Sequence, residues 1–222
     1  MSRTASFDVI LFDLDGTLTD SAPGIVNCLR YAFDYLEIDH PDEATMRSHL
    51  GPPLIVTFRE HYGLDAATAD RAIAKYRERY HDVGLFENTV YEGIPALLDE
   101  LDDSRAVLAI ATSKPTPSAT RILEYFDLAR HFAFIGGAEL DGPRQNKADV
   151  IEHTLEELAA SGIVGGSRVM VGDRRHDITG ALAHGIPGIG VLWGYGDEPE
   201  LMAAGAIEVA PDPAALLDLL AA

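Results

Sequence analysis

Two short stretches place carboxylates at a spacing that can do chemistry. Asp13 and Asp15 stand one residue apart in Phe12-Asp13-Leu14-Asp15-Gly16-Thr17-Leu18, and Asp173 and Asp177 fall in Gly172-Asp173-Arg174-Arg175-His176-Asp177. Each pair follows a short apolar run, Val9 to Phe12 and Val169 to Val171. Taken singly, an Asp after such a run is an ordinary helix cap or turn former. Taken together, like charges held close raise one another's pKa unless a cation lies between them. Three or four carboxylates gathered in one place are a set of hard oxygen ligands, which suits Mg²⁺ and suits zinc poorly. A third run, Ala106 to Ala111, ends in Thr112-Ser113-Lys114, and Lys147 opens the helical pattern after Ile135. A hydroxyl donor and an ammonium are thereby available for phosphate oxygens.

Those residues need elements to hold them. Five short apolar runs (Val9 to Phe12, Ala106 to Ala111, Phe132 to Ile135, Val169 to Val171, Ile189 to Leu192) read as strands buried on both faces of a parallel sheet. Helical stripes lie between them: Ile94, Leu97, Leu98, Leu101, then Ile122, Leu123, Phe126, then Val150, Ile151, Thr154, Leu155, Leu158. Alternation from about Glu92 onward is the mark of a parallel α/β sheet, whose ligands bind at the carboxyl ends of the strands. From roughly Ser21 to Glu87 only helical patterns occur, too long for a simple crossover. The expected division is a core of residues 1–18 and 89–222 with a helical insertion of residues 19–88. Gly185 to Gly190 and Gly194-Tyr195-Gly196 read as turns around the last strands.

Composition narrows the partners. The 222 residues hold 17 Lys plus Arg against 36 Asp plus Glu, a formal charge of −19, with 47% hydrophobic residues. Such acidity argues against a nucleic-acid polymer as partner, and the apolar content excludes a disordered chain. No apolar run approaches the ~20 residues of a membrane helix. One Cys cannot form an internal disulfide, and no secretory leader pattern opens the chain, so a cytoplasmic location is the expectation. Cys28 falls in a helical pattern and is expected to pack; Lys75 and its Arg and Glu neighbours read as a salt-bridged surface.

Asp13-Leu14-Asp15-Gly16-Thr17, Thr112, Lys147 and Gly172-Asp173 through Asp177 resemble, in order and spacing, the four motifs of the haloacid dehalogenase-like hydrolase superfamily. The likeness spans nearly the whole chain and is to the phosphoglycolate phosphatase-like branch, which carries a helical cap after the first motif. It implies a doubly wound, Rossmann-like α/β core with an inserted α-helical cap. It implies a Mg²⁺-dependent phosphomonoesterase in which Asp13 is the nucleophile, forming an aspartyl-phosphate, and Asp15 the general acid. The superfamily's dehalogenases lack an acid at the position of Asp15. Mg²⁺ would be held by Asp13, the Asp15 backbone carbonyl and Asp173, with Asp177 acting from behind them. Thr112 and Lys147 would serve the transferring group, and Gly16 and Ser113 would contact substrate.

The resemblance places substrate choice in the cap, where Arg47, His49 and Gly51-Pro52-Pro53 fall on the loop turned to the site. Arg47 reads equally as a surface residue before a helix-breaking turn. Glu92 and Gly93 mark the return from cap to core. The expected partner is a small phosphorylated metabolite, phosphoglycolate first and a nucleoside monophosphate second, for a monomer or homodimer. The second choice comes from Leu140-Asp141-Gly142-Pro143-Arg144 and Leu192-Trp193-Gly194-Tyr195-Gly196, which look like segments of 5′-nucleotidase relatives. In the alternative of another class, a receiver-type binding module would also join Asp pairs, a Thr and a Lys around Mg²⁺. Trp193 and Tyr195 would line a pocket or pack behind the last strand.

Overall fold

Ile10, Leu11 and Phe12 have no exposed surface, and full burial of such side chains contributes roughly 1.5–3 kcal/mol each. They belong to β1 (Val9–Phe12), which has a parallel partner on either side. The computed structural model describes residues 5–48, 54–139, 142 and 144–221. The chain divides into two units, one of residues 1–20 with 90–222 and one of residues 21–89. It leaves the larger unit through β2 (Thr19–Asp20).

The smaller unit is helical: α1 (Ala22–Leu36), α2 (Glu43–Ser48), α3 (Leu54–Val56) running into a π turn at Thr57–His61, and α4 (Ala66–Arg79) followed by a second π turn. Pro23 sits in the first turn of α1, where its missing N–H is no loss. The Asp65 side chain accepts from the Thr68 N–H and starts α4. Val26, Leu29, Phe33, Phe58 and Tyr76 form the core. Cys28 is buried among them, its sulfur accepting from Arg79 at 3.3 Å, and burial pushes its pKa up, as suits a packed thiol. Lys75 pairs with Glu78 at 2.8 Å on this unit's surface.

The chain re-enters through β3 (Thr89–Val90) and then alternates: α5 (Ile94–Asp102), β4 (Val107–Pro115), α6 (Thr116–Tyr125), β5 (Phe134–Ala138), α7 (Lys147–Ala160), β6 (Arg168–Gly172), α8 (Arg175–Leu182), β7 (Gly188–Val191), α9 (Glu198–Ala203), β8 (Glu208–Ala210) and α10 (Pro213–Leu220). Six strands form a parallel, doubly wound, Rossmann-like sheet in the order β5-β4-β1-β6-β7-β8. The direction of winding reverses at β1. The crevice between the carboxyl ends of β1, β4 and β6 is therefore where a ligand belongs. Among the described residues no helix is long and apolar enough to cross a membrane.

Two elements depart from the sequence-based expectation. Gly188, expected as part of a turn, opens β7, and Gly190, which fell in both the expected turn and the expected strand, lies inside it. β4 continues past Thr112 to Pro115, with a register shift against β5 between those two residues.

Candidate active site

Asp13 follows β1 directly, and its N–H donates to the Val171 carbonyl of β6 at 2.9 Å, continuing the ladder one residue past the strand. The chain then closes a tight loop in which the Leu14 carbonyl accepts from Leu18 at 2.9 Å and Thr19 at 3.1 Å. Gly16 makes the loop possible. Its φ is +82°, and a Cβ there would fall 2.2 Å from Asp173 Oδ2, so both conformation and room demand glycine. Asp173 is wholly buried beyond β6, fixed by the Thr17 hydroxyl at 3.1 Å and the Tyr195 N–H at 2.8 Å.

Lys147 opens α7, after Asn146, whose side chain caps the helix by accepting from Asp149 N–H at 3.0 Å. The lysine is 5% exposed and reaches inward past α8. Gly180 lets it through, since a Cβ there would stand 2.8 Å from Lys147 Cγ. A glycine inside a helix costs about 1 kcal/mol relative to alanine, and here it makes room for a cation. The Lys147 ammonium lies 2.8 Å from Asp13 Oδ1, 2.7 Å from Asp177 Oδ1 and 2.9 Å from the Ala111 carbonyl, which accepts a hydrogen bond. Asp177 is held in turn by the Arg174 N–H, which donates to Oδ2 at 3.0 Å.

Carboxylate oxygens of Asp13, Asp173 and Asp177 lie within 4.8 Å of one another. Three buried carboxylates face one ammonium in a nearly dry place. Burial works against the Lys147 charge, yet Asp13 and Asp177 outweigh it and lift the lysine's pKa. Burial, with repulsion from Asp177 and Asp13 added, drives Asp173 well above the usual carboxylate range. Burial also pushes Asp177 up to about 6, with Lys147 opposing and Asp13 adding to the rise. A divalent cation would oppose both shifts and favour the ionised forms of these carboxylates. The donors are hard oxygens, and Asp15 Oδ1 is a further buried oxygen without a partner, so the site fits Mg²⁺ chemically.

The structure brings Asp13, Lys147, Asp173 and Asp177 together and sets Asp15, Gly16 and Thr112 around them. The Thr112 hydroxyl oxygen accepts from the Lys114 N–H at 3.2 Å, which leaves its own proton free to be donated. Ser113, next along β4, is exposed. Arg47 lies on α2 in the helical unit, paired with Glu43 at 3.1 Å. His49, Gly51, Pro52 and Pro53 lie outside the described residues, as do Leu140, Asp141 and Pro143.

Sequence reasoning gave no site role to Lys114 or Glu200, and only a pocket or packing role to Trp193 and Tyr195. Lys114 places its ammonium 2.8 Å from Asp15 Oδ2, and strand alternation from Thr112 was the signal that could have found it. Trp193 donates from Nε1 to the Thr17 carbonyl at 2.9 Å, and Tyr195 donates its hydroxyl to Asp20 at 3.0 Å besides its N–H to Asp173. Both tie the Gly194-containing loop to the first and fourth motifs, more than the packing role or pocket wall expected of them. Glu200 of α9 accepts from the Arg175 N–H at 2.9 Å and from Arg174 Nε at 3.0 Å, bracing the Asp173 to Asp177 turn from a distant segment.

Residues 10–191 match the family model described as haloacid dehalogenase-like hydrolase. A 5′-nucleotidase of Pseudomonas aeruginosa is 44% identical, over 95% of this chain and 94% of that one. The tyrosine-protein kinase PtkA of Mycobacterium tuberculosis is also 44% identical over 85% of this chain, which spans less than two thirds, 63%, of that longer protein. A phosphoglycolate phosphatase of Mesorhizobium japonicum is 32% identical over 85% of this chain and 84% of its own. Among solved structures, a haloacid dehalogenase-like family hydrolase from Streptococcus pneumoniae superposes with a TM-score of 0.86 at 31% identity, covering 99% of each chain.

Proposed function

The chain belongs to the haloacid dehalogenase-like hydrolase family and is a phosphoric monoester hydrolase, and from that premise we propose that it hydrolyses nucleoside 5′-monophosphates through an aspartyl-phosphate on Asp13. Family membership makes the chain an enzyme and sets aside a binding module without turnover. The observation that carries the mechanism is the dry constellation in which Lys147 holds both Asp13 and Asp177 beside the fixed carboxylate of Asp173.

In this mechanism an Asp13 carboxylate oxygen attacks phosphorus in line with the leaving oxygen, dividing one hard displacement into two easier ones. Lys147, whose three N–H groups are taken by Asp13, Asp177 and the Ala111 carbonyl, orients that carboxylate and sets its charge beside the transferring group, while the Thr112 hydroxyl donates to the phosphoryl oxygens as charge gathers on them. Asp15 protonates the leaving oxygen, then as carboxylate takes a proton from the water that frees phosphate. Mg²⁺, held by Asp13, the Asp15 backbone carbonyl and Asp173 with Asp177 behind them, would supply charge neutralisation between an anionic nucleophile and an anionic phosphate. Gly16 keeps the Asp15 loop against Asp173, and the Ser113 N–H and hydroxyl are within the same strand end for substrate oxygens. The helical unit is the cap in this reading, with Arg47 and Gly51 on the segment that chooses the substrate.

The nucleotidase relative, at 44% identity over almost the full length, supports a nucleoside monophosphate ahead of phosphoglycolate. Phosphoglycolate is the second reading, supported by the relative at 32%. Steady-state hydrolysis of nucleoside 5′-monophosphates, phosphoglycolate and sugar phosphates, with Mg²⁺ and again with EDTA, tests both. A nucleotide preferred at least tenfold in kcat/KM and lost in EDTA is the expected result. Preference for phosphoglycolate would move the assignment to the second reading, and turnover undiminished by EDTA would remove the cation from the mechanism.

A further inference from the structure

Each of the two motif carboxylates has its own lysine. Lys147, which the resemblance assigned to the transferring group, lies against Asp13, whereas Lys114 has no place in the four motifs. It comes to Asp15 through the extension of β4 beyond Thr112. Alternation along the strand buries Thr112, exposes Ser113 and buries Lys114, and the register shift before Pro115 ends the pattern there. The Lys114 ammonium lies 2.8 Å from Asp15 Oδ2, with the lysine side chain 5% exposed. The other oxygen, Asp15 Oδ1, is buried and has no hydrogen-bond partner. A buried carboxylate oxygen without a partner is unfavourable unless something meets it in the working complex.

We infer that Lys114 is a positioning residue for Asp15: by gripping Oδ2 it fixes the plane of the carboxyl group, so that Oδ1 is the atom that handles the proton. This rests on the reading above in which Asp15 is the acid and base of the reaction. In the first step the Asp13–phosphorus bond forms and the bond from phosphorus to the leaving oxygen breaks, while the proton on Asp15 Oδ1 moves to that oxygen. In the second step a water oxygen bonds to phosphorus, the Asp13–phosphorus bond breaks, and the water's proton returns to Oδ1. Lys114 keeps its own proton throughout. Without it the carboxyl torsion, which is broad and two-fold for Asp, divides its time between two oxygens and many angles, and misplacement by about 1 Å can lower a rate about 10²-fold.

The test uses leaving groups. An alkyl phosphate needs the proton from Asp15 to depart, whereas p-nitrophenolate leaves unassisted. First-turnover rates of leaving-group release are measured with Mg²⁺ for wild type and Lys114→Met on a nucleoside 5′-monophosphate and on p-nitrophenyl phosphate. The expected result is a fall of about 10- to 100-fold on the nucleotide, a change of less than about threefold on p-nitrophenyl phosphate, and KM nearly constant for both. Lys114→Arg, which keeps a cation beside Oδ2, restores most of the nucleotide rate. Equal losses on the two substrates would overturn the inference in favour of a structural role. A raised KM for the nucleotide with unchanged kcat would overturn it in favour of a substrate-binding lysine. Wild type without turnover of either substrate would sink the reading of Asp15 and this inference together, whereas an active wild type with a uniform variant sinks the inference alone. Lys114→Gln, similar in size and polar, carries the same comparison should the Met variant fail to fold.

Discussion

Among the described residues, two clusters in the larger unit have the composition of a cation site, and they are unlike. Asp13, Asp173 and Asp177 are buried at the carboxyl ends of β1 and β6, with Lys147 as the cation among them. Asp99, Asp102 and His131 come from the end of α5 and the turn before β5, and the two carboxylates there are exposed. In the second cluster Arg130 reaches Asp99 at 3.4 Å and His131 Nδ1 meets Asp102 at 2.5 Å, so solvated acids have partners at hand. In the first, charge lies where water cannot dissipate it. Both clusters offer carboxylates; burial is what separates the first, where charge is costly, from the second, an ordinary surface pairing.

The sharpest break between the clusters is expected from Asp13→Asn. Loss of the proposed nucleophile should lower kcat by about 10⁴-fold or more, with the midpoint of unfolding little changed, and retention of most activity would remove Asp13 from its role. Asp173→Asn comes next. It should lower kcat about 10²- to 10³-fold and abolish the rise in Tm expected of the wild type on addition of MgCl₂. Because it relieves repulsion among buried carboxylates, it should also stabilise the cation-free protein, by roughly 1 kcal/mol. A destabilised, still Mg²⁺-responsive variant would contradict the assignment of Asp173 to the cation.

A smaller effect is expected from pH. The Asp177 carboxyl is raised to about 6 from an ordinary 3.8, in an environment of Lys147, Asp13 and Asp173. Between pH 4 and 6 the folded protein then binds more protons at this position than the unfolded chain, so the free energy of unfolding falls as pH rises through that window. The fall should be roughly 1–3 kcal/mol. Exposed carboxylates held low by their hydrogen bonds, such as Asp42 and Asp65, act in the opposite sense and below pH 4. Denaturation of wild type and Asp177→Asn in EDTA across pH 4 to 7 isolates the effect. Parallel curves for the two proteins would mean that Asp177 is charged throughout, balanced by Lys147 alone.

The first cluster could be read in the sequence and the second could not, for a physical reason. Asp13, Asp15, Thr112, Lys147 and Asp173 each stand at the end of an apolar run or the start of a helical stripe, so hydrophobic periodicity marks their place on the sheet edge. Five strands were legible in the same way. β8 was not, because three residues at a sheet edge have no period to detect. Nor were α9 and α10, short helices in an alanine-rich stretch with little polar contrast. Lys114 was hidden by a strand that outlasts its apolar residues, and Tyr195 and Glu200 by hydrogen bonds spanning 22 and 25 residues. His131 meets Asp102 only because α5 packs against the turn after α6, a tertiary fact with no local signature.

That tertiary pairing is where the smallest effect is expected. The His131 side chain is wholly buried while Asp102 is 44% exposed, so the charge of the carboxylate is screened by solvent on one side. Asp102→Asn keeps the shape and leaves an oxygen able to accept from Nδ1, removing the charge and little else. Exposed pairs of this kind contribute roughly 0.2–1 kcal/mol, and a shift of that size in the denaturant midpoint is the expected outcome. The variant's kcat, and any dependence on Mg²⁺, should match wild type within twofold, since the ion pairs of this cluster run among Asp99, Asp102, Arg130 and His131 and none of these is a proposed site residue. A larger change in either would mean that α5 and its partner turn help to hold β4, and with it Thr112 and Lys114, in place, and the contrast between the two clusters would then be one of distance along a strand and not of independence.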